Sequence, residues 1–76
     1  MELTATQKEI LFNAWVLARE GKGQVVEDWA IPDAHRLAEE GWLERRIQDD
    51  QVTWWWSDRA ELALNLDALK AQQNPN

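Results

Sequence analysis

The chain has 76 residues, of which 45% are hydrophobic and 29% charged, a balance typical of a globular domain rather than of a disordered chain. It contains no cysteine, which excludes disulfides and thiolate metal sites, and no apolar run approaches the ~18 residues of a membrane span. The formal net charge of −6 disfavours a broad nucleic-acid-binding surface, because such affinity comes largely from Lys and Arg neutralising phosphates.

The start of the sequence and its aromatic content add two expectations. Residues 1–4 lack the basic and apolar regions of a secretory signal, so we expect a soluble cytoplasmic protein without a membrane partner. The chain has six tryptophans beside one Phe and no Tyr. Each Trp buries on the order of 200 Å², so we expect most of the six to form the core of a small fold.

The first predicted element is a helix over residues 4–20. Thr4 is a good N-cap, and Thr6 with Glu9 also fits a capping box. Gly21 supplies the left-handed conformation that ends helices. Trp15 is expected in the core, and with Phe12 it borders either a widened apolar stripe or the seam of a homodimer. The main apolar stripe consists of Ile10, Leu11, Ala14, Leu17 and Ala18.

Residues 22–31 carry weaker signals. Lys22-Gly23 reads as a turn, residues 24–26 as a short strand, and residues 27–30 as at most one helical turn. Trp29 and Ile31 are expected to tuck under the helix that follows.

A second helix is predicted over residues 32–40. Pro32 suits the first helical position, where its missing N–H costs nothing. Gly41 is placed to end the helix in the left-handed conformation, with Trp42 returning to Leu37 as in a Schellman motif. The inward stripe consists of Ala34, Leu37 and Ala38.

A hairpin is predicted next, with strands over residues 43–47 and 52–56 joined by a four-residue connection, 48–51. Successive residues of a strand point to opposite faces. Trp54 and Trp56 therefore share one face and Trp55 shares the other with Thr53. On the first strand the two faces hold Leu43, Arg45 and Ile47, and Glu44 and Arg46, respectively.

A last helix is predicted from Ser57 as N-cap to about residue 70, with Asp58 and Glu61 near its positive end. Its apolar positions are Leu62, Leu66 and Leu69. Residues 1–71 then form a single domain, and the polar residues 72–76 a frayed tail.

This order of elements resembles the winged helix-turn-helix superfamily, whose members often read "LxxLxxxGWLxR", a wing hairpin, then "LTxxGxxAL". The resemblance covers residues 3–66 and implies an α+β fold with three helices and a hairpin wing, in which residues 24–26 would add a third strand. The family places a full second helix where this chain has only residues 27–31. The matching segments are Leu37-Ala38-Glu39-Glu40-Gly41-Trp42-Leu43-Glu44-Arg45, Trp56-Ser57-Asp58-Arg59-Ala60 and the opening residues 3–11.

Catalytic chemistry has little support in the sequence. His35 is the only histidine, and neighbouring carboxylates such as Glu39 and Glu40 do not face each other on a helix. We therefore expect no enzymatic activity, no cofactor and no metal.

The predicted protein-binding patch centres on Trp55, because exposed tryptophan and arginine are enriched at interface hot spots. The alternative is that Trp55 lies flat against a hairpin arginine as a cation–π or packing contact. The patch consists of Trp55, Thr53, Arg45, Arg46 and Arg36.

A DNA-binding surface is the competing interpretation, with the second helix in the major groove and wing arginines on phosphates. The exposed positions of that helix are expected to be Asp33, His35, Arg36, Glu39 and Glu40, a net charge of −2 from one basic and three acidic residues. The favoured alternative is that the arginines of this surface pair with carboxylates on a solvated surface (Glu39, Glu40, Glu44, Asp49 and Asp50). The candidate contacts are Lys22, His35, Arg36, Arg45, Arg46 and Arg59.

The favoured function is a small acidic protein-interaction module, a regulator or inhibitor of the kind encoded by bacteria or their phages. The alternative is a transcriptional regulator that binds DNA through the arginines near the wing.

Overall fold

Capping residues determine where the helices begin and end. The computed structural model describes residues 2–64. Helix α1 (Ala5–Ala18) begins at Thr4, whose Oγ1 accepts from the Gln7 N–H at 3.1 Å while Gln7 Oε1 accepts from the Thr4 N–H at 3.0 Å. This capping box replaces the expected one at Thr6, which already lies inside the helix. Gly21, with φ of 72°, follows the end of α1.

Helix α2 (Ile31–Glu39) continues directly from a 3-10 helix at Asp28–Ala30, so the single helical turn expected before it is confirmed. The helix starts one residue before Pro32. Gly41 has φ of 87°, and the Trp42 N–H donates to the Leu37 carbonyl at 2.9 Å. The predicted Schellman stop is therefore confirmed.

Strands β1 (Leu43–Gln48) and β2 (Gln51–Trp56) pair antiparallel, with Leu43 opposite Trp56 and Gln48 opposite Gln51. Because those two glutamines are paired, the connection is the two-residue turn Asp49-Asp50, and the expected four-residue connection is wrong. Both aspartates have positive φ, 51° and 62°, as a type I′ turn requires.

The third strand is reduced to one bridge. The Gln24 N–H donates to the Trp54 carbonyl at 2.9 Å, and the Trp54 N–H donates to the Gln24 carbonyl at 2.8 Å. The sheet thus has two full strands, and residue 24 is held against the free edge of β2. In residues 2–64 the fold is α+β, with three α-helices and a two-stranded hairpin, which is compatible with a winged-helix-like arrangement.

One tryptophan lies in the core. Trp54 is 2% exposed, whereas four tryptophans are half-buried and Trp29 is exposed, so the expectation of a tryptophan-filled core is wrong. Trp42 and Trp56 pack against the core from outside. The core cluster is Ile10, Leu11, Ala14, Val26, Ala30, Ala34, Leu37, Leu43 and Trp54.

Trp15, expected in the core, is one of the half-buried tryptophans. Its ring centroid lies 5.9 Å from that of Phe12 and 4.7 Å from the Arg19 guanidinium. The expectation that Trp15 belongs to the core is therefore wrong, and its ring packs under a charged side chain.

Helix α3 (Asp58–Ala63) is capped by Ser57, whose Oγ accepts from the Ala60 N–H at 3.1 Å and donates to the Gly41 carbonyl at 2.6 Å. Leu64 is extended, so the helix does not run unbroken to residue 70 as expected. Leu62 is 89% exposed and does not belong to an inward stripe. Leu66, Leu69 and the tail at 72–76 lie outside the described residues.

Candidate protein-binding surfaces

Trp55 lies on the face opposite Trp54, as the alternation of the strand predicts, and the burial of Trp54 makes the Trp55 face the outer one. The Trp55 Nε1–H donates to Thr53 Oγ1 at 2.9 Å, and the Arg46 guanidinium lies 4.2 Å from the ring centroid. The indole also lies against Gly23, where a Cβ would come within 2.6 Å of Trp55 Cε2. Trp55 is consequently half-buried and held in one orientation by the chain itself. This is the cation–π and packing contact with a hairpin arginine that the sequence offered as the alternative to an exposed Trp55.

Thr53 lies on the same face but is only 7% exposed. Its hydroxyl donates to the Arg46 carbonyl at 3.2 Å and accepts the Trp55 N–H. The expectation that Thr53 is open to a partner is therefore wrong, because Trp55 covers it. Its role on this face is to hold the indole.

The hairpin separates the arginines that were expected to act together. Arg45 is paired opposite Trp54, whereas Arg46 is opposite Thr53, so the two point to different faces. Arg46 forms an ion pair with Glu44 at 2.8 Å, and Arg36 is exposed on α2. Of the pairings expected between arginines and carboxylates, this is the one present in residues 2–64.

The remaining basic side chains are also dispersed. The Arg59 guanidinium lies 4.7 Å from the Trp42 ring centroid, and Lys22 is 3.7 Å from a Glu20 carboxylate oxygen. The His35 ring meets Trp54 edge-on at 5.1 Å. The candidate nucleic-acid contacts thus occupy several parts of the surface.

The exposed side of α2 is less acidic than expected. Asp33 accepts a hydrogen bond from Gln7 Nε2 at 3.3 Å and so faces α1, and Glu40 is half-buried. His35, Arg36 and Glu39 remain exposed, and the formal charges of the last two cancel.

A groove runs between α1 and residues 24–30, and sequence reasoning missed it. Trp29, at its side, is 70% exposed and Val25 is 57% exposed. The expectation that Trp29 tucks under α2 is wrong, because the 3-10 helix turns Ala30 into the core and Trp29 outward. Ile31 does pack against the core. The groove holds about 230 Å³ and is lined by Thr6, Glu9, Ile10, Asn13, Gln24, Val25, Val26, Glu27, Trp29 and Ala30.

We call this feature the Trp29 groove; its polar lining is rich in acceptors. Two carboxylates, Glu9 and Glu27, line it, and no Lys or Arg of residues 2–64 does. Gln24 Oε1 is buried without a hydrogen-bond partner in residues 2–64. The sequence signal for the groove was the run Glu27-Asp28-Trp29, a large indole beside two acids in a segment too short to form an amphipathic helix.

No protein-family model, characterised protein or solved structure matches the chain. Within residues 2–64, none of the helices combines the length and apolar character that crossing a bilayer needs. That same part of the chain has no group of three His, Asp or Glu side chains placed to hold a metal ion.

Proposed function

We propose that this chain is a protein-binding module on a winged-helix-like scaffold, a small regulator or inhibitor that acts by covering a surface of its partner. The main observation behind this proposal is that Trp29 is 70% exposed and lies at the side of a preformed groove. An indole is large and rigid, and burying it on association gains area at a low cost in side-chain entropy.

The order of the elements supports the winged-helix-like scaffold. Helix α1 is followed by the bridge at Gln24, helix α2, the hairpin and helix α3, and the bridge adds to the edge of β2. The 3-10 helix Asp28–Ala30 stands where the family has a full helix. That replacement opens the Trp29 groove, since a longer helix would bring more side chains over α1.

The distribution of charge favours a protein over a nucleic acid as the partner. Affinity for a phosphate backbone grows with the number of basic groups that meet it at once. Here Arg45 and Arg46 point to different faces, and Arg46 is already paired with Glu44. The net charge of −6 adds long-range repulsion from DNA.

The proposal is tested by affinity purification from the native host with the wild-type chain and two matched variants, Trp29→Ala and Leu62→Ala. Both remove an exposed apolar side chain, but Leu62 lies on α3, away from the lining of the groove. We expect a stoichiometric partner that Leu62→Ala retains and Trp29→Ala loses. A partner that Trp29→Ala retains and Trp55→Ala loses would instead place the contact on the hairpin.

A further inference from the structure

We infer that the Trp29 groove binds an extended segment of its partner that carries lysine or arginine, with one cationic side chain stacked on Trp29. This inference names the chemistry of the ligand and rests on the protein-binding function proposed above. The inference rests on three observations. They are a backbone edge without hydrogen-bond partners, a groove lining with two carboxylates, and an indole over which no cation of residues 2–64 lies.

The backbone edge lies at Val25. Gln24 directs both its N–H and its carbonyl to Trp54, and the alternation of an extended chain turns the same groups of Val25 to the opposite side. Neither Val25 group makes a backbone hydrogen bond within residues 2–64. An added strand would pair with this edge, the mode in which main-chain bonds supply affinity and side-chain contacts supply specificity.

The lining of the groove selects a hydrogen-bond donor with positive charge. The Glu9 and Glu27 carboxylates have no basic neighbour in the lining, and the buried Gln24 Oε1 accepts no bond within residues 2–64. Bringing a carboxylate or an apolar chain here would leave the Glu9 and Glu27 carboxylates desolvated and unpaired. An ammonium or guanidinium group satisfies these two carboxylates.

Three of the five other indoles lie under a cation of the chain itself, whereas Trp54 is buried in the core and Trp56 donates to Glu61. Arg19 lies over Trp15, and the pairs Arg46–Trp55 and Arg59–Trp42 repeat the contact at 4.2 and 4.7 Å from the ring centroids. Within residues 2–64, Trp29 takes part in none of these contacts and keeps most of its ring open. A cation of the partner would form at Trp29 the same cation–π contact that the chain forms internally at three other tryptophans.

A second recess is lined by Trp15, Arg19, Trp56 and Glu61, among others. Its indoles and the Glu61 carboxylate already have partners within the chain. There Arg19 already stacks on Trp15, and the Trp56 Nε1–H already donates to the Glu61 carboxylate at 2.7 Å. The Trp29 groove has carboxylates and an indole of the same kinds without such partners in the described part of the chain.

Fluorescence polarisation with three labelled peptides tests the inference. The peptides share one length and carry arginine, glutamine or glutamate at alternate positions of an otherwise identical Ser/Thr sequence. We expect the arginine peptide to bind best, and Trp29→Ala to weaken it by about tenfold, which corresponds to about 1.4 kcal/mol and lies within the range of a partly desolvated cation–π contact. Trp29→Phe, which keeps a smaller aromatic face, should lose less.

A charge-matched pair of variants separates the groove from the overall negative charge. Glu9→Gln/Glu27→Gln and Glu20→Gln/Glu39→Gln change the net charge equally, but only the first pair lines the groove. We expect the first double variant to weaken the arginine peptide by about tenfold and the second by much less, because exposed charges at a distance are screened by salt. Thermal unfolding of each variant confirms that it is folded.

Amide hydrogen exchange supplies the backbone readout, and the arginine peptide should slow exchange at Val25. Equal losses in the two double variants, or no binding of the arginine peptide, would overturn the inference. Equal binding of the glutamine peptide in a Trp29-dependent manner would overturn the cationic chemistry while leaving the proposed protein-binding function intact. The proposed function fails separately, if the wild-type chain captures no stoichiometric partner from the native host.

Discussion

Gly23 and Trp55 lie in direct contact, and their contact ties residues 22–26 to the outer face of the hairpin. A Cβ on Gly23 would come within 2.6 Å of Trp55 Cε2 and 2.9 Å of the Thr53 Cβ. The φ of Gly23 is not in the left-handed region, so the requirement for glycine here is the space that the indole takes rather than the backbone conformation.

Gly23→Ala is therefore expected to lower the free energy of unfolding by about 1–3 kcal/mol, the usual cost of overpacking. Urea denaturation measures the loss. In the double variant Gly23→Ala/Trp55→Ala the alanine no longer meets the indole and keeps only the close approach to the Thr53 Cβ at 2.9 Å, so its additional cost should be clearly smaller. A Gly23→Ala cost that is unchanged in the Trp55→Ala background would contradict the contact.

Gly21→Ala serves as the control for backbone conformation. Gly21 has φ of 72°, and a Cβ at this position would have no atom of residues 2–64 within 4 Å. The cost of Gly21→Ala in folding stability therefore comes from the left-handed conformation alone. We expect roughly 1 kcal/mol, and no coupling to Trp55→Ala.

Trp54 and Trp55, adjacent in sequence, are expected to differ in their contribution to stability. Trp54→Ala truncates a core aromatic that is 2% exposed and should cost about 3–5 kcal/mol. Trp55→Ala removes one hydrogen bond and one cation–π contact at a half-buried site, for which we expect about 1–2 kcal/mol. A Trp55→Ala chain that unfolds beside a stable Trp54→Ala chain would reverse the assignment of the faces.

The hairpin turn offers a stabilising substitution. Asp50 has φ of 62° at the second central position of a type I′ turn, where glycine is preferred. Asp50→Gly should raise the free energy of unfolding by roughly 0.5–1 kcal/mol, because it removes the steric cost of a left-handed residue. Asp50→Val should destabilise, since a β-branched side chain fits that conformation worst. Thermal unfolding of the three chains gives the order, and a Val variant as stable as the Gly variant would contradict the turn type.

Binding to random duplex DNA is expected to be undetectable at physiological salt. Arg45 and Arg46 point to different faces of the hairpin, and the chain carries a net charge of −6, so few basic groups meet the phosphates together. Electrophoretic mobility shift over a range of salt concentrations, with wild type and Arg45→Ala/Arg46→Ala, is the measurement. Micromolar, salt-sensitive binding that the double variant loses would favour the DNA-binding regulator.

Local signals in the sequence predicted much of the fold. Thr4 and Ser57 cap helices and Gly41 ends one, because each of these roles depends on residues a few positions away along the chain. The alternation of the hairpin likewise predicted that Trp54 and Trp55 lie on opposite faces, since the pleat of a strand has a period of two residues, and it left open which face is the inner one.

The candidate site depended on contacts between distant parts of the chain. Whether Trp29 points inward or outward was decided by Ala30, which takes the core position against α1 and α2 and leaves the indole in solvent. The burial of Trp55 comes from Gly23, 32 positions earlier in the sequence, and from Arg46 on the other strand. Period and capping describe one element at a time, so the sequence alone determined most of the elements and which residues share a face. Only the tertiary structure decided which indoles are covered, because burial depends on what the neighbouring elements bring to each face.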